Sequence, residues 1–244
     1  MHFPVYLWVG PLALHPHWVF ETLAYLVGAR VYAYLKQRSG DPIGTVERWW
    51  VVAAAFVGAA VGSKLLVLID HPSLVAQGLD LVDGKSVVGA LVGALLAVEW
   101  TKQRIGVTQA TGDVFAIPLV VGIAIGRIGC FLTGLDDNTH GLPTDLPWAV
   151  DFGDGVPRHP AQLYEVVFLL VVLLPALAWL HRRGHAQGEL FKLFMVGYLG
   201  FRLVLEFLKP ADPIAGMTAI QWVCLAGLLW YAVQVPRWRR VQHG

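Results

Sequence analysis

Apolar stretches separated by short charged loops dominate this sequence and restrict it to a membrane fold. Of its 244 residues, 56% are hydrophobic and only 14% are charged, with a mean hydropathy of +0.59. This balance is too apolar for a water-soluble domain of this length. Most stretches approach the roughly 20 residues that a helix needs to cross a bilayer core. We predict an all-α integral membrane protein, one polytopic domain over 1–244, with about seven transmembrane helices at 19–35, 49–69, 86–100, 114–132, 163–180, 190–208 and 217–235.

The charges of the loops give an independent orientation. Residues 1–17 carry no Lys or Arg, and basic loops alternate along the chain with loops rich in Asp. Most loop cations, including the C-terminal Arg237, Arg239 and Arg240, fall on one side, whereas Lys85, Arg158 and Lys209 fall on the other. The positive-inside rule then places the N-terminus outside and the C-terminus in the cytoplasm, which requires an odd number of spans. The N-terminus also lacks the basic start of a cleavable signal peptide.

The longest segment between spans, the loop 133–162, is predicted to form a small cap on the outer face. Its prolines and glycines favour turns and short extended pieces over a helix. Residues 148–152 alternate apolar and polar side chains, which indicates a short strand. A loop of this length in a compact protein usually has a function.

Arg127 lies inside the apolar run 114–132, and Arg202 repeats the pattern in the run 190–208. A guanidinium at membrane depth is costly, so it faces a protein interior or a wet cavity. We expect the two arginines to bind an anion, and the abundant anion of a bilayer is a lipid phosphate. Glu206 follows Arg202 by four residues and shares its helix face. The alternatives are a structural pairing of Arg127 with an acid and an intrahelical ion pair between Arg202 and Glu206.

Polar residues also gather after the long loop. His159 precedes a proline, and Gln162, Tyr164 and Glu165 follow in the first turn or so of the next span. The outer interface is where a lipid head group rests, so we predict that His159, Gln162 and Tyr164 bind substrate. Cys130 and Cys224 are interpreted as small buried residues. The spacing of His, Cys and acids predicts no metal site and no cofactor, and no basic cluster suggests a nucleic acid partner.

Four segments together resemble the prolipoprotein diacylglyceryl transferase family. They are Gly-Arg-Ile-Gly-Cys-Phe at 126–131, Pro-Thr-Asp-Leu-Pro-Trp-Ala-Val at 143–150, His-Pro-Ala-Gln-Leu-Tyr-Glu at 159–165 and Phe-Arg-Leu-Val-Leu-Glu-Phe at 201–207. Residues 218–221 also resemble the start of the family's last span. The resemblance implies a seven-span enzyme of the bacterial inner membrane. Such an enzyme moves the diacylglyceryl group of phosphatidylglycerol to the thiol of a prolipoprotein cysteine and releases glycerol phosphate.

Several positions depart from the family pattern. The motif His-Gly-Gly-Leu-Leu-Gly reads Val88-Gly89-Ala90-Leu91-Val92-Gly93 here, so the histidine linked to catalysis is Val88. Cys130 and Thr133 stand where the family has asparagines, Leu135 replaces a glutamate, and residues 136–140 form a small insertion. The family's important tyrosine falls near Val19 or Phe20. An apolar residue cannot carry out proton transfer, so the base must be supplied elsewhere.

The resemblance therefore implies that the residues that bind the lipid phosphate are kept. It also implies that a base different from the family's histidine activates the acceptor. Arg127 and Arg202, with Glu206 as an orienting group, would stabilise charge on the departing glycerol phosphate. Our first candidate for the base is His140, paired with Asp136 or Asp137, although this acidic cluster can equally be a solvated turn. The second candidate is Lys85, which we also predict to bind substrate and whose alternative is a snorkelling anchor.

Three other functions remain open from the sequence. The first is a lipid-binding protein without catalysis, and the second is a transferase that uses the same lipid on another acceptor. The third is transport, since charged residues inside a membrane also line pathways. Transport is disfavoured because the sequence shows no repeated half with broken helices. The expected partners are phosphatidylglycerol, other membrane lipids and a prolipoprotein signal peptide.

Overall fold

A computed structural model describes residues 3–70, 84–210 and 213–241, with side chains up to residue 233. Asp80 and Asp83 of the predicted acidic loop, and the side chains of Arg237, Arg239 and Arg240, lie outside the described residues. Within them the chain forms α1 (Pro16–Ser39), α2 (Thr45–Asp70), α3 (Val87–Ile105), α4 (Asp113–Thr133), α5 (Ala161–Arg183), α6 (Glu189–Leu205) and α7 (Ala219–Val241).

Each predicted apolar stretch coincides with one of these helices, so their helical character is confirmed. Three of the described helices, α2, α4 and α5, are long and apolar enough to cross a membrane, and Ala219–Val233 is a shorter apolar helix. α5 contains a π-helical segment, Phe168–Leu173, immediately before Pro175. Proline has no N–H to continue the regular ladder, which accounts for a local change of helix type at this point.

Two antiparallel hairpins lie outside the helices. Strands β1 (Leu7–Val9) and β2 (Leu12–Leu14) pair before α1. Strands β3 (Val150–Asp151) and β4 (Pro157–Arg158) pair inside the long loop. The strand predicted over 148–152 is therefore present, although it is shorter than the sequence pattern suggested. Thr144 N donates to Pro157 O at 3.0 Å, which extends the pairing toward the start of the loop.

The chain packs into two compact units, each discontinuous in sequence. The first, called the α1/α4 unit, comprises Met1–Gly40, Gly112–Phe194 and Phe207–Pro210. The second, called the α2/α3 unit, comprises Asp41–Thr111, Met195–Glu206 and Ala211–Gly244.

In the α2/α3 unit, glycines allow α2 and α3 to pack backbone against backbone. A Cβ atom on Gly62 would collide with the carbonyl oxygen of Gly89, and one on Gly58 would collide with that of Gly93. Two small residues four apart on each helix are a recurrent basis of close helix packing in membranes. Ser86 caps α3, since its side chain accepts from Gly89 N.

The start of α7, in the same unit, is fixed by side chains. Thr218 and Gln221 form a reciprocal capping box: Gln221 N donates to Thr218 Oγ1 at 3.0 Å, and Thr218 N donates to Gln221 Oε1 at 2.9 Å. The buried carboxylate of Asp70 accepts from Ile220 N at 3.1 Å. The sequence segment 218–221 therefore begins the last helix, as predicted.

In the α1/α4 unit, α1 and α4 form the main helix pair. A Cβ on Gly129 would lie 2.6 Å from the Cβ of Phe20, so this glycine permits a close approach of the two helices. The 3-10 turn Gly134–Asp137 continues directly from α4. These features bring the first turn of α1, the end of α4 and the following turn together.

Candidate functional site

Arg127 lies in the last two turns of α4, buried in the α1/α4 unit with 8% of its surface exposed. Its Nε atom is 3.0 Å from Oε2 of Glu165, which is 2% exposed on α5. Because both charges are removed from water, each needs the other to remain ionised at low cost. The arginine therefore has a protein carboxylate beside it.

Arg202 lies on α6, in the α2/α3 unit, and is also buried. Its Nη2 atom donates to Oε2 of Glu206 at 2.7 Å, and the two residues are 3% and 4% exposed. The intrahelical ion pair considered from the sequence is thus formed. The other alternative, a pairing of Arg127 with an acid, is formed as well, because Glu165 lies beside its guanidinium. Anion binding by either arginine stays a prediction.

Asp137 is held by the first turn of α1. Nδ1 of His17 lies 2.8 Å from Oδ1 of Asp137, and the hydroxyl of Thr139 donates to Oδ2 at 2.7 Å. Nε2 of His17 lies 3.6 Å from Glu21, one helical turn further along α1. Each of the three side chains His17, Cys130 and Asp137 offers a ligand atom within 4.8 Å of the other two.

The expected pairing of His140 with Asp136 or Asp137 is not formed among the described residues. Asp137 is turned toward His17 and Thr139 instead, and Asp136 is exposed. The ring of His140 lies 6.3 Å from that of Phe152, and its buried Nδ1 has no hydrogen-bond partner in the described part of the chain. Burial and the positive charges of Arg158 and Lys209 lower the pKa of His140, so the ring is neutral near pH 7.

The predicted substrate-binding residues at the start of α5 form two groups. The ring of His159 is hydrogen-bonded to the Tyr164 hydroxyl at 3.1 Å, and that hydroxyl accepts from Trp148 Nε1 at 2.8 Å. Gln162 is buried and donates from Nε2 to Thr139 Oγ1 at 3.1 Å. The structure thus links Gln162 to Asp137 through one hydroxyl, while His159 and Tyr164 form a separate aromatic group in the same unit.

Lys85 and Val88 lie at the start of α3. Lys85 is exposed and precedes the capping Ser86, whereas Val88 is only 1% exposed. The residue that the resemblance sets at the motif histidine is therefore apolar and buried. Lys85 as a base stays a prediction.

The sequence interpretation missed His17, Glu21 and the grouping of Cys130 with Asp137. His17 and Glu21 are four residues apart on one helix, a spacing from which their contact could have been inferred. The absence of a metal site stays a prediction. The long separation of His17 from Cys130 along the chain left no spacing from which their proximity could be inferred. Only the packing of α1 against α4 shows it.

Comparison with known proteins gives the family. The family model for prolipoprotein diacylglyceryl transferase matches residues 4–235. A phosphatidylglycerol–prolipoprotein diacylglyceryl transferase of Bordetella parapertussis is 34% identical over 261 residues, covering 96% of each chain. Proteins of the same name from Pseudomonas aeruginosa and Vibrio vulnificus are 33% and 31% identical, covering 93% and 88% of this chain and 87% and 81% of their own lengths. The chain therefore belongs to the prolipoprotein diacylglyceryl transferase family.

Proposed function

We propose that this protein transfers the diacylglyceryl group of phosphatidylglycerol to the cysteine thiol of a prolipoprotein. The observation that carries the proposal is the family match over residues 4–235, which includes the segment that buries Arg127 in the α1/α4 unit. The relatives carry the donor and the acceptor in their names. A buried guanidinium with a fixed orientation is the kind of group that recognises a phosphodiester.

The reaction replaces one bond of the lipid with another. The acceptor sulfur bonds to the glyceryl carbon that carries the phosphate, and the carbon–oxygen bond breaks. The electron pair leaves with glycerol phosphate, and the thiol loses its proton. Charge grows on the phosphate oxygens as the bond breaks, so a cation beside them lowers the barrier.

Arg127 is the residue to which we assign this stabilisation. Glu165 limits the orientations open to the guanidinium, and such support keeps a binding group preorganised. Arg202, with Glu206, is assigned a similar role in its own unit. His159, Gln162 and Tyr164 are assigned to the lipid head group, because all three lie at or just before the start of α5, although in two separate groups.

The proposal includes a location for the protein. We place it in the bacterial inner membrane with about seven spans, the N-terminus outside and the C-terminus in the cytoplasm, since the basic loops alternate along the chain. The loop 133–162 then forms a small cap on the outer face. A prolipoprotein signal peptide would reach the enzyme from the same membrane.

The test is rescue of cells depleted of their own prolipoprotein transferase. Expression of this chain is expected to restore lipidated prolipoprotein, seen as a mass increase of one diacylglyceryl group. In purified protein, Arg127→Ala is expected to lower transfer at least about a hundredfold, the scale of losing one transition-state donor. Arg104→Ala removes an exposed arginine that stacks on Trp100 at the end of α3 and is expected to leave transfer unchanged.

The outcomes separate the alternatives. No rescue, with phosphatidylglycerol still bound to the purified chain, would contradict the proposed acceptor and favour another acceptor or a binding protein without catalysis. Normal transfer by a folded Arg127→Ala variant would remove Arg127 from the reaction. A neutral variant of its partner, Glu165→Gln, is expected to lower transfer less than Arg127→Ala, because it leaves the guanidinium in the site.

A further inference from the structure

We propose that His17, Cys130 and Asp137 bind a zinc ion whose fourth position receives the acceptor thiol. The metal site is inferred from the residues of the α1/α4 unit alone. Its role toward the thiol rests on the proposed function. The site would supply by coordination the activation of sulfur that the apolar Val88 cannot supply by proton transfer.

The positions of the three ligand atoms fit a metal site. One ligand atom from each residue lies within 4.8 Å of the other two. Zinc bonds of about 2.0–2.3 Å in tetrahedral geometry place neighbouring ligand atoms ~3.3–3.7 Å apart. The observed limit of 4.8 Å is about one ångström above these separations, so the proposal requires the ligand atoms to move closer to the ion. The 2.8 Å contact between His17 Nδ1 and Asp137 Oδ1 would lengthen as the metal replaces the shared proton.

The fold delivers the three residues from separate elements. His17 is in the first turn of α1, Cys130 is in the last turn of α4, and Asp137 ends the 3-10 turn that follows. The close approach of the two helices at Gly129 sets the distance between the first two. Helical backbone thus positions the site more rigidly than a loop would.

Neighbouring polar side chains orient two of the proposed ligands, His17 and Asp137. Glu21 lies 3.6 Å from the ring nitrogen of His17 that faces away from Asp137. A carboxylate in this place fixes the tautomer and orientation of a metal-bound imidazole. Asp137 accepts from Thr139, whose hydroxyl in turn accepts from the buried Gln162. These contacts leave Oδ1 of Asp137 on the side of His17.

The surrounding charges favour a divalent cation. Glu21, Asp137 and Glu165 are acids, and Arg127 is the cation that contacts Glu165 and lies 3.9 Å from the sulfur of Cys130. The group therefore has more carboxylates than guanidinium groups. A zinc ion with a Cys130 thiolate adds one positive charge and moves the group toward neutrality. This balance matters in a membrane, where uncompensated charge is costly.

The ligand set selects the metal. A thiolate disfavours Mg²⁺ and Ca²⁺, which take oxygen ligands, whereas imidazole, thiolate and carboxylate are all common zinc ligands. Three protein ligands and one open position are typical of catalytic zinc. His17, whose side chain is 27% exposed, leaves a route for the ion to enter.

The open position would activate the acceptor directly. A thiol that coordinates zinc loses its proton, here to bulk water, and displaces the water bound to the metal. The zinc-bound sulfur then bonds to the glyceryl carbon while the carbon–oxygen bond breaks. Glycerol phosphate takes the electron pair, the neutral thioether leaves the metal, and water returns. No oxidant or further reactant is needed.

The experiment loads the full chain, purified in detergent, with Zn²⁺ or Co²⁺ alone. We expect one metal ion per chain, and for Co²⁺ a near-ultraviolet charge-transfer band that reports a thiolate ligand. Cys130→Ser is expected to abolish the band, and Asp137→Asn to weaken metal affinity at least about a hundredfold. Thr139→Val, which removes only the supporting hydroxyl, is expected to weaken affinity ~10–100-fold.

Cys224→Ser is the matched control, because Cys224 belongs to the other unit. It is expected to keep the band and the stoichiometry. A band that disappears in Cys224→Ser and persists in a folded Cys130→Ser variant would overturn the assignment. Absence of any stoichiometric metal in wild-type protein across about pH 6–8, where neutral imidazole becomes available, would overturn the site itself.

The role of the metal toward the acceptor thiol is tested by adding a peptide to the Co²⁺-loaded protein. A prolipoprotein peptide with its cysteine is expected to shift the Co²⁺ spectrum, and the same peptide with serine is not. Transfer by wild-type protein without bound metal would overturn the inference and leave the proposed function intact. Metal binding with an intact spectral shift but no transfer would instead count against the proposed function.

Discussion

The two principal helix pairs of this protein, α2/α3 and α1/α4, differ in the residues that lie where their helices meet. In the α2/α3 unit, the helices meet through glycines, and Val88 at the start of α3 is 1% exposed. In the α1/α4 unit, one end of the helix pair gathers imidazole, thiol, carboxylate and guanidinium groups. The first pair is tightly packed through its glycines, whereas the second brings together His17, Cys130 and Asp137.

The difference bears on the segment 88–93. A Cβ atom at Gly89 or Gly93 would strike the backbone of α2, so both positions need glycine for this packing. Val88, which the resemblance sets where the family has a histidine, is buried beside them. The structure thus accounts for the packing of this segment, and activation of the acceptor by residues elsewhere stays a proposal.

The largest effect is expected from breaking the buried ion pair of the α1/α4 unit. Arg127→Met or Glu165→Leu alone breaks this buried pair, which costs about 3–5 kcal/mol of unfolding free energy. The double variant removes both charges and is expected to recover most of this loss. Unfolding of all four proteins in detergent measures the coupling energy.

The same double-mutant cycle, with Arg202→Met and Glu206→Leu, is the matched comparison, because this pair is also buried, in the other unit. Similar coupling in both cycles would show that both pairs stabilise the fold. Additive effects of Arg127→Met and Glu165→Leu would contradict the interpretation of a mutually dependent pair.

A smaller loss is expected from a side chain placed between α2 and α3. Gly62→Leu would press against the backbone of Gly89 and force the helices apart, at a cost of about 1–3 kcal/mol or more. The measurement is again unfolding in detergent.

Gly200→Ala on α6 is the control for this substitution. Beyond its own helix backbone and chain neighbours, a Cβ at this position would meet no atom of the described residues within 4 Å, and alanine favours a helix over glycine. This variant is expected to be as stable as the wild type or slightly more so. Equal stability of Gly62→Leu and the wild type would show that the α2/α3 contact is not as close as described.

The helices were predictable from the sequence because each corresponds to a long run of apolar residues. The capping box at Thr218 and Gln221 and the short strand at Val150 also follow local patterns. These features depend on neighbours in sequence. For that reason the predicted and observed helices agree closely.

The contacts of the site were harder to predict because they join distant parts of the chain. Asp137 is close to His140 in sequence, yet it contacts His17, which the packing of α1 against α4 brings beside it. Glu165 reaches Arg127 only because α5 packs on α4. Sequence proximity suggested the wrong partner in the first case and no partner in the second.

The smallest effect is expected from the titration of His140 in the long loop. Its pKa is lowered in the folded protein by burial and by the positive charges of Arg158 and Lys209. Between this lowered pKa and the ordinary value of about 6.5, the unfolded chain therefore binds more protons than the folded one. The stability that neutral His140 contributes is present above about pH 6.5 and is lost as the pH falls toward the lowered pKa. Replacing the ring with an amide, as in His140→Gln, is expected to flatten the fall in melting temperature between about pH 7 and 5 and to leave the difference from wild type constant above about pH 7.5. An unchanged slope in the variant would mean that the ring is more solvated than its buried Nδ1 indicates.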